Sequence, residues 1–332
     1  MKRRDFIAGA GAMAALPLAD SVRAQSGVAV RRPLIAVIDL QEALAVHEPM
    51  DSFIEALAGF GYIDGETATI LIRYVAGKIP ALPAIANEVA RLKPDIVVCD
   101  TASPIKAAEA AMPDIPIVGV TMSYPVEQKL IASFAHPGGH LTGLAAAVEE
   151  LDTKLLDLSL RAVPAVKTVG LLMNPSANLS EIEHTAYQAA TTTRGLGFHA
   201  AAAASPEKIG DAIASLADAG VQLLLAQENA MFLVERERIG AVAIAHRMPV
   251  ISTQTAGLIE QTGYLLTYGV EATGNYRRAA SFVDRILKGA KPADLPVEFP
   301  AKLVMSLNLK TAQALGLQLP QELLNIADRV VE

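Results

Sequence analysis

Short apolar runs of strand length alternate along this chain with stretches whose apolar positions recur at helical spacing. Leu34 to Leu40 reads as a strand, followed by a helix around Met50 to Phe60. Thr67 to Tyr74 is the next strand, with a helix from about Leu82 to Leu92. Asp95 to Cys99 and the helix Pro104 to Met112 follow. Ile115 to Val120 closes the set, and a helix is expected around Val126 to Phe134. Unbroken runs such as Ile96-Val97-Val98 suit parallel strands covered on both faces. The pattern then repeats as Lys167 to Met173, a helix Leu179 to Leu196, Phe198 to Ala203, a helix Pro206 to Ala219, Val221 to Ala226, a helix Phe232 to Arg247, and Pro249 to Ser252. Each half is therefore βαβαβαβ, a doubly wound α/β sheet. Pro137-Gly138-Gly139 reads as the turn between them.

The tail adds units that a simple tandem does not need. Tyr264 to Tyr268 is a strand, and Tyr276 to Leu287 is an amphipathic helix stopped at Gly289. A Pro-rich linker, Lys291 to Pro296, leads to a strand near Lys302 to Leu307 and helices at Thr311 to Leu315 and Gln321 to Val331. Two leftover units predict that the chain returns to each lobe in turn, making a multi-segment hinge around a cleft. The expected division is 33–143 with about 269–292 for lobe one, and 144–268 with about 293–332 for lobe two.

Composition narrows the class. A length of 332 residues suits two domains, and a 52% hydrophobic content excludes disorder. One cysteine cannot build a disulfide scaffold. A net charge of −7 argues against nucleic acid and anionic membrane as partners. Residues 1–24 read as an export signal: Lys2, Arg3 and Arg4, then the apolar stretch Ile7 to Ala19, then Val22-Arg23-Ala24 for cleavage. The apolar stretch is too short to span a bilayer. Arg3-Arg4-Asp5-Phe6-Ile7 resembles the twin-arginine signal, with a general secretory signal as the alternative. With no cysteine at the cleavage site, a periplasmic protein without a lipid anchor is expected. Gly9 to Ala14 matches G-x-G-x-x-A, but no strand precedes it, so it carries no dinucleotide assignment.

Several segments resemble the ABC-transporter substrate-binding proteins of the tryptophan/tyrosine type. They are Gly61-Tyr62-Ile63-Asp64-Gly65, Ile115-Pro116-Ile117-Val118, His136-Pro137-Gly138-Gly139-His140-Leu141-Thr142-Gly143, Asn174-Pro175, Ile286 to Pro296, and Asn308-Leu309-Lys310-Thr311-Ala312. They run in order along the chain beyond the signal. The resemblance implies the type I periplasmic binding fold, with two Rossmann-like lobes joined by a multi-segment hinge. It also implies a small-molecule ligand, delivery to ABC permease subunits in the inner membrane, a monomer, and no chemistry. Two turns that face the cleft in the family depart from its pattern. Ser123-Tyr124-Pro125-Val126 stands where Gly-Asp-Pro-Val is common, and Gln227-Glu228-Asn229 where relatives often carry an Asp-containing turn.

Ligands of doubly wound sheets bind beyond the carboxyl ends of the strands, where helix N-termini favour carboxylates. In the first half this places Gln41, Thr101, Ala102, Ser103, Thr121, Ser123 and Tyr124 at the cleft. In the second it places Asn174, Gln227, Glu228, Asn229 and Tyr268. Ser103, ahead of Pro104, serves equally as cap and as contact. Thr101 and Thr121 lean towards contact, and Asn174-Pro175 towards a strand-ending turn. Tyr124 either stacks on a flat ligand or is a half-exposed loop residue. Asp100 and Glu228 can meet an ammonium group or stand as solvated turn carboxylates, the latter favoured for Asp100. Tyr268 is cleft wall or core.

Catalytic signatures are missing. None of the six histidines pairs at metal-ligand spacing on a helix, and the sequence has neither a phosphate loop nor a G-x-S-x-G elbow. Cys99, ending an apolar strand, reads as buried filler. No metal and no cofactor are expected. The expected function is capture of a small amino acid-like or aromatic carboxylate molecule; the alternatives are an exported α/β enzyme or a sensory receptor on the same fold.

Overall fold

The structure, a computed structural model, describes residues 31–40, 48–146, 149–177, 179–253, 255, 259–300 and 302–332. The export segment 1–24 and Gln41 lie outside the described residues. Lobe one contains β1 (Leu34–Asp39), α1 (Glu48–Gly59), β2 (Thr69–Tyr74), α2 (Leu82–Arg91), β3 (Ile96–Cys99), α3 (Ala102–Ala111), β4 (Ile117–Met122) and β5 (Leu141–Ala145). Its strands form an all-parallel sheet in the order β2-β1-β3-β4-β5. The chain then crosses to lobe two for α4 (Glu149–Ala162), β6 (Thr168–Met173), α5 (Ser180–Thr193), β7 (Gly197–Ala202), α6 (Ile209–Asp218) and β8 (Leu223–Ala226). The same lobe continues with α7 (Ala230–Val234), α8 (Arg236–Ala245), β9 (Val250–Ser252), α9 (Ile259–Thr262) and β10 (Leu266–Val270). Next, α10 (Ala272–Leu287) returns to lobe one. The chain ends in lobe two with β11 (Leu303–Asn308), α11 (Leu309–Ala314), α12 (Gln321–Ile326) and β12 (Arg329–Val331). The second sheet has the order β12-β11-β10-β9-β8-β6-β7, and only β10 and β11 run antiparallel. Among the described residues no helix is long and apolar enough to cross a membrane.

Every residue of Ile96–Cys99 is buried, as a parallel strand covered on both faces requires. The return of α10 is driven by its apolar stripe. Tyr276, Ala279, Ala280, Val283 and Ile286 fall on one face and join Met50, Phe53 and Leu57 of α1 in a single core. Burial of each large side chain is worth about 1.5–3 kcal/mol. Asn275 ties α10 to the sheet by donating to the Val120 carbonyl at 2.9 Å.

Several elements differ from the sequence expectation. No helix forms over 126–134; the chain turns there, with Lys129 in the left-handed region (φ 58°), which ends any α-helical run. Strand β5 and helix α4 fill the stretch read as a connecting turn. In β5, Gly143 has φ 136°, and a Cβ there would lie 2.0 Å from the Gly119 carbonyl oxygen of β4. Only a glycine permits that approach. Phe232 to Arg247 divides at Glu235 into α7 and α8. The last helix stops at Ile326, and residues 329–331 instead add an edge strand beside β11. Leu295 and Val297 pack in lobe-one cores, and Glu298 pairs with Leu144. The final crossing thus follows Glu298 rather than residue 293.

Candidate functional site

The carboxyl ends of both sheets open on one cavity of about 140 Å³. Lobe one supplies Leu40 beyond β1, Asp100 to Ser103 between β3 and α3, Thr121 and Ser123 at the end of β4, and Ile79 and Gln128 from loops. Lobe two supplies Leu151 of α4, Ala177 and Leu179 ahead of α5, Glu228 and Asn229 beyond β8, Leu233 of α7, and Thr253 beyond β9. Ala146, Thr255, Val270, Ala272 and Tyr276 close it near the crossings. Among the described residues lining it there is a carboxylate from each lobe and neither lysine nor arginine.

The lobe-one carboxylate is enclosed by its own lobe. Asp100 is 5% exposed and accepts the Leu40 N–H at 3.0 Å and the Thr101 N–H at 2.8 Å. The Thr101 hydroxyl is 3.3 Å away on the same side. Burial pushes Asp100 well above the usual carboxylate range, and the negative charge of Asp39 pushes it further; the N–H donors oppose both. Tyr276 donates to Asp39 at 2.6 Å, and burial followed by the two aspartates drives its phenol upward. Thr121 buttresses the turn by donating its hydroxyl to the Asp100 carbonyl at 2.6 Å. The first turn of α3 faces the same space. Thr101 stands at its N-cap position without a side-chain cap bond, so the opening N–H groups present the positive end of the helix to the cavity.

The lobe-two carboxylate belongs to a larger acidic group. Burial pushes Glu228 up to about 7, helped by Asp152 and opposed by the Thr253 hydroxyl. Asp152 and Glu183 are buried close by. Burial and then Asp152 raise Glu183 well above its ordinary range, and its Oε2 has no hydrogen-bond partner. Tyr187 donates to Asp152 Oδ1 at 2.7 Å, and Tyr124 donates to Oδ2.

Of the residues singled out from sequence, Thr101, Ala102, Ser103, Thr121, Ser123, Glu228 and Asn229 meet at the cavity. Asn229 also caps α7, accepting the Phe232 N–H at 3.1 Å. Four others do not line it. Tyr124 is neither a stacking surface nor a loop residue in solvent: it is 4% exposed, packed on Leu151 and Leu179. Asn174 and Gln227 are buried partners, with the Asn174 N–H donating to Gln227 Oε1 at 2.8 Å and Ser180 donating to the Asn174 carbonyl. Tyr268 packs against the core behind them. Asp100 is the converse correction, a buried cavity carboxylate rather than a solvated turn. Cys99 is buried, and burial drives its thiol up, away from thiolate chemistry. Leu151 and Tyr276 went unread as site residues. Leu151 sits in the helix that the pattern did not reveal, and Tyr276 looks like one more apolar position of an amphipathic stripe.

Two wound lobes, joined by three passages of the chain and facing each other across a cavity at their strand ends, define the type I periplasmic binding fold. A family model described as ABC transporter substrate binding protein matches residues 34–331, and the chain belongs to that family. Its members bind small molecules, work with ABC permeases and typically lie outside the cytoplasm. A tyrosine-binding protein of Clostridioides difficile (strain R20291) is 24% identical over 284 residues, covering 86% of this chain and 81% of the relative. A Streptococcus pneumonia domain solved in complex with L-Trp has a TM-score of 0.83 at 21% identity, covering 90% of this chain and 100% of that one. A conserved domain protein of Vibrio cholerae has a TM-score of 0.84 at 21% identity, with the same coverage.

Proposed function

We propose that this substrate-binding protein captures an α-amino acid or a close analogue. The ammonium group lies between Asp100 and Glu228, and the carboxylate lies at the N-terminus of α3. The observation that carries this reading is the charge of the cavity, with one carboxylate from each lobe and no basic side chain. A lone carboxylate ligand would meet two like charges there. An ammonium group instead relieves the repulsion that raises both acids. Leu40, Ile79, Leu151, Leu179 and Leu233 provide an apolar wall for a side chain. The tyrosine-binding relative and the L-Trp complex support the same ligand class. The moving units are residues 33–146 with 271–298, and 149–270 with 302–332. The protein works as a periplasmic monomer, addressed by its twin-arginine-like segment.

The test is a thermal-shift comparison of L-amino acids with the same molecules lacking the amino group. A ligand at 100 times its dissociation constant adds about 2.7 kcal/mol, a readily visible shift. Stabilisation by amino acids alone is expected. Equal stabilisation by the deaminated acids would overturn the assignment of the two carboxylates.

A further inference from the structure

Tyr124 follows a lobe-one strand, yet its surroundings belong to lobe two. Its ring packs on Leu151 of α4 and on Leu179, and its hydroxyl donates to Asp152 of α4. The other oxygen of Asp152 is held by Tyr187 of α5. The Tyr124 backbone sits in the left-handed region (φ 48°), which a bulky side chain occupies only where its surroundings enforce it. Leu151 and Leu179 are also cavity wall, and Ser123 lines the cavity while Tyr124 does not. The ring therefore backs the surface that a ligand touches, from the opposite lobe.

We propose that Tyr124 is a latch that lobe one inserts into lobe two, holding the lobes together around the ligand without contacting it. This rests on reading the cavity as a ligand site that opens by lobe movement. The phenol–carboxylate bond is charge-assisted and buried. It forms only across the lobe boundary, so it favours the closed arrangement even without ligand. Apparent affinity then scales with the closed fraction, and ligand selectivity, set elsewhere, does not change.

The experiment measures lobe separation directly. Cysteines replacing Glu66 and Asp218, exposed residues of lobe one and lobe two, carry spin labels for pulsed dipolar distance measurement. Cys99 is buried and stays unlabelled. In unliganded protein, Tyr124→Phe is expected to raise the ratio of open to closed molecules about tenfold, or about 1.4 kcal/mol. Asp152→Asn should produce a similar shift, and the double variant should add little, because both substitutions break one bond. Tyr124→Phe keeps the ring and so keeps the packing; its melting temperature confirms that it folds. Release of L-tryptophan in stopped flow should quicken about tenfold, with the ranking of amino acids preserved. Identical distance distributions in all variants, or fully additive shifts, would overturn the latch. Moved labels without any amino-acid binding would remove the ligand assignment instead, and amino-acid binding with unmoved labels would remove the latch alone.

Discussion

The two acidic groups at the cavity are built differently. In lobe one, Asp100 and Asp39 take every hydrogen bond described above from their own lobe: Leu40, Thr101 and Tyr276. In lobe two, Asp152, Glu183 and Glu228 crowd together with an unpartnered Glu183 oxygen, and one donor, Tyr124, arrives from across the boundary. Lobe one thus presents a finished half-site, whereas lobe two presents one completed only when the lobes meet. A ligand that docks first on the organised half and then draws in the other follows from this asymmetry.

The largest expected effect breaks the finished half. Asp100→Ala removes the cavity carboxylate and strands the Leu40 and Thr101 N–H groups. Amino-acid affinity in calorimetry should fall by at least about 100-fold, and unfolding free energy in denaturant should drop by about 2 kcal/mol. Glu228→Gln tests the other half. Affinity should fall about tenfold, while stability at pH 8 stays level or rises, because a charge leaves a crowded acidic group. A stability loss equal to that of Asp100→Ala would erase the contrast between the lobes.

The pH dependence sharpens it further. Glu228 is raised from 4.5 to about 7 in the folded protein. The folded state therefore holds this proton more tightly than the unfolded chain. Its contribution to stability is full below pH 4.5 and is lost as pH rises towards 7. Ligand binding runs the opposite way, because the ammonium group needs the ionised carboxylate. Affinity should weaken by up to about tenfold per pH unit below 7 and level off above it, and Glu228→Gln should flatten both curves. The smallest effect is expected from Thr253→Val. Losing the hydroxyl that stabilises the Glu228 carboxylate should weaken binding about threefold at pH 7, a change that disappears above pH 8.5.

Legibility in the sequence followed how local each feature is. Thr101 to Ser103 could be placed because a buried strand ends beside them and Pro104 marks a helix start. Glu228 and Asn229 follow Leu223–Ala226 in the same way. Strand β5 was missed because five residues interrupted by a glycine show no clear period, and α4 because charged residues interleave its apolar positions. Asp100 looked solvated because a lone carboxylate at a strand end usually is. Its burial depends on Asp39 and Leu40, some sixty residues away. Tyr124 was placed at the right end of the sheet but on the wrong surface, since the acceptor for its hydroxyl lies in the other lobe.

The three passages of the chain between lobes bear on the order in which the protein can be completed during synthesis. The lobe-one core around Phe53 includes Tyr276, Phe282, Ile286 and Leu295, so its first strands wait for residues made nearly at the end. Many multidomain chains finish an N-terminal domain while the rest is still being translated. Here neither lobe closes until almost the whole polypeptide has left the ribosome. Shortening the chain by its last sixty residues would therefore damage the half that begins it.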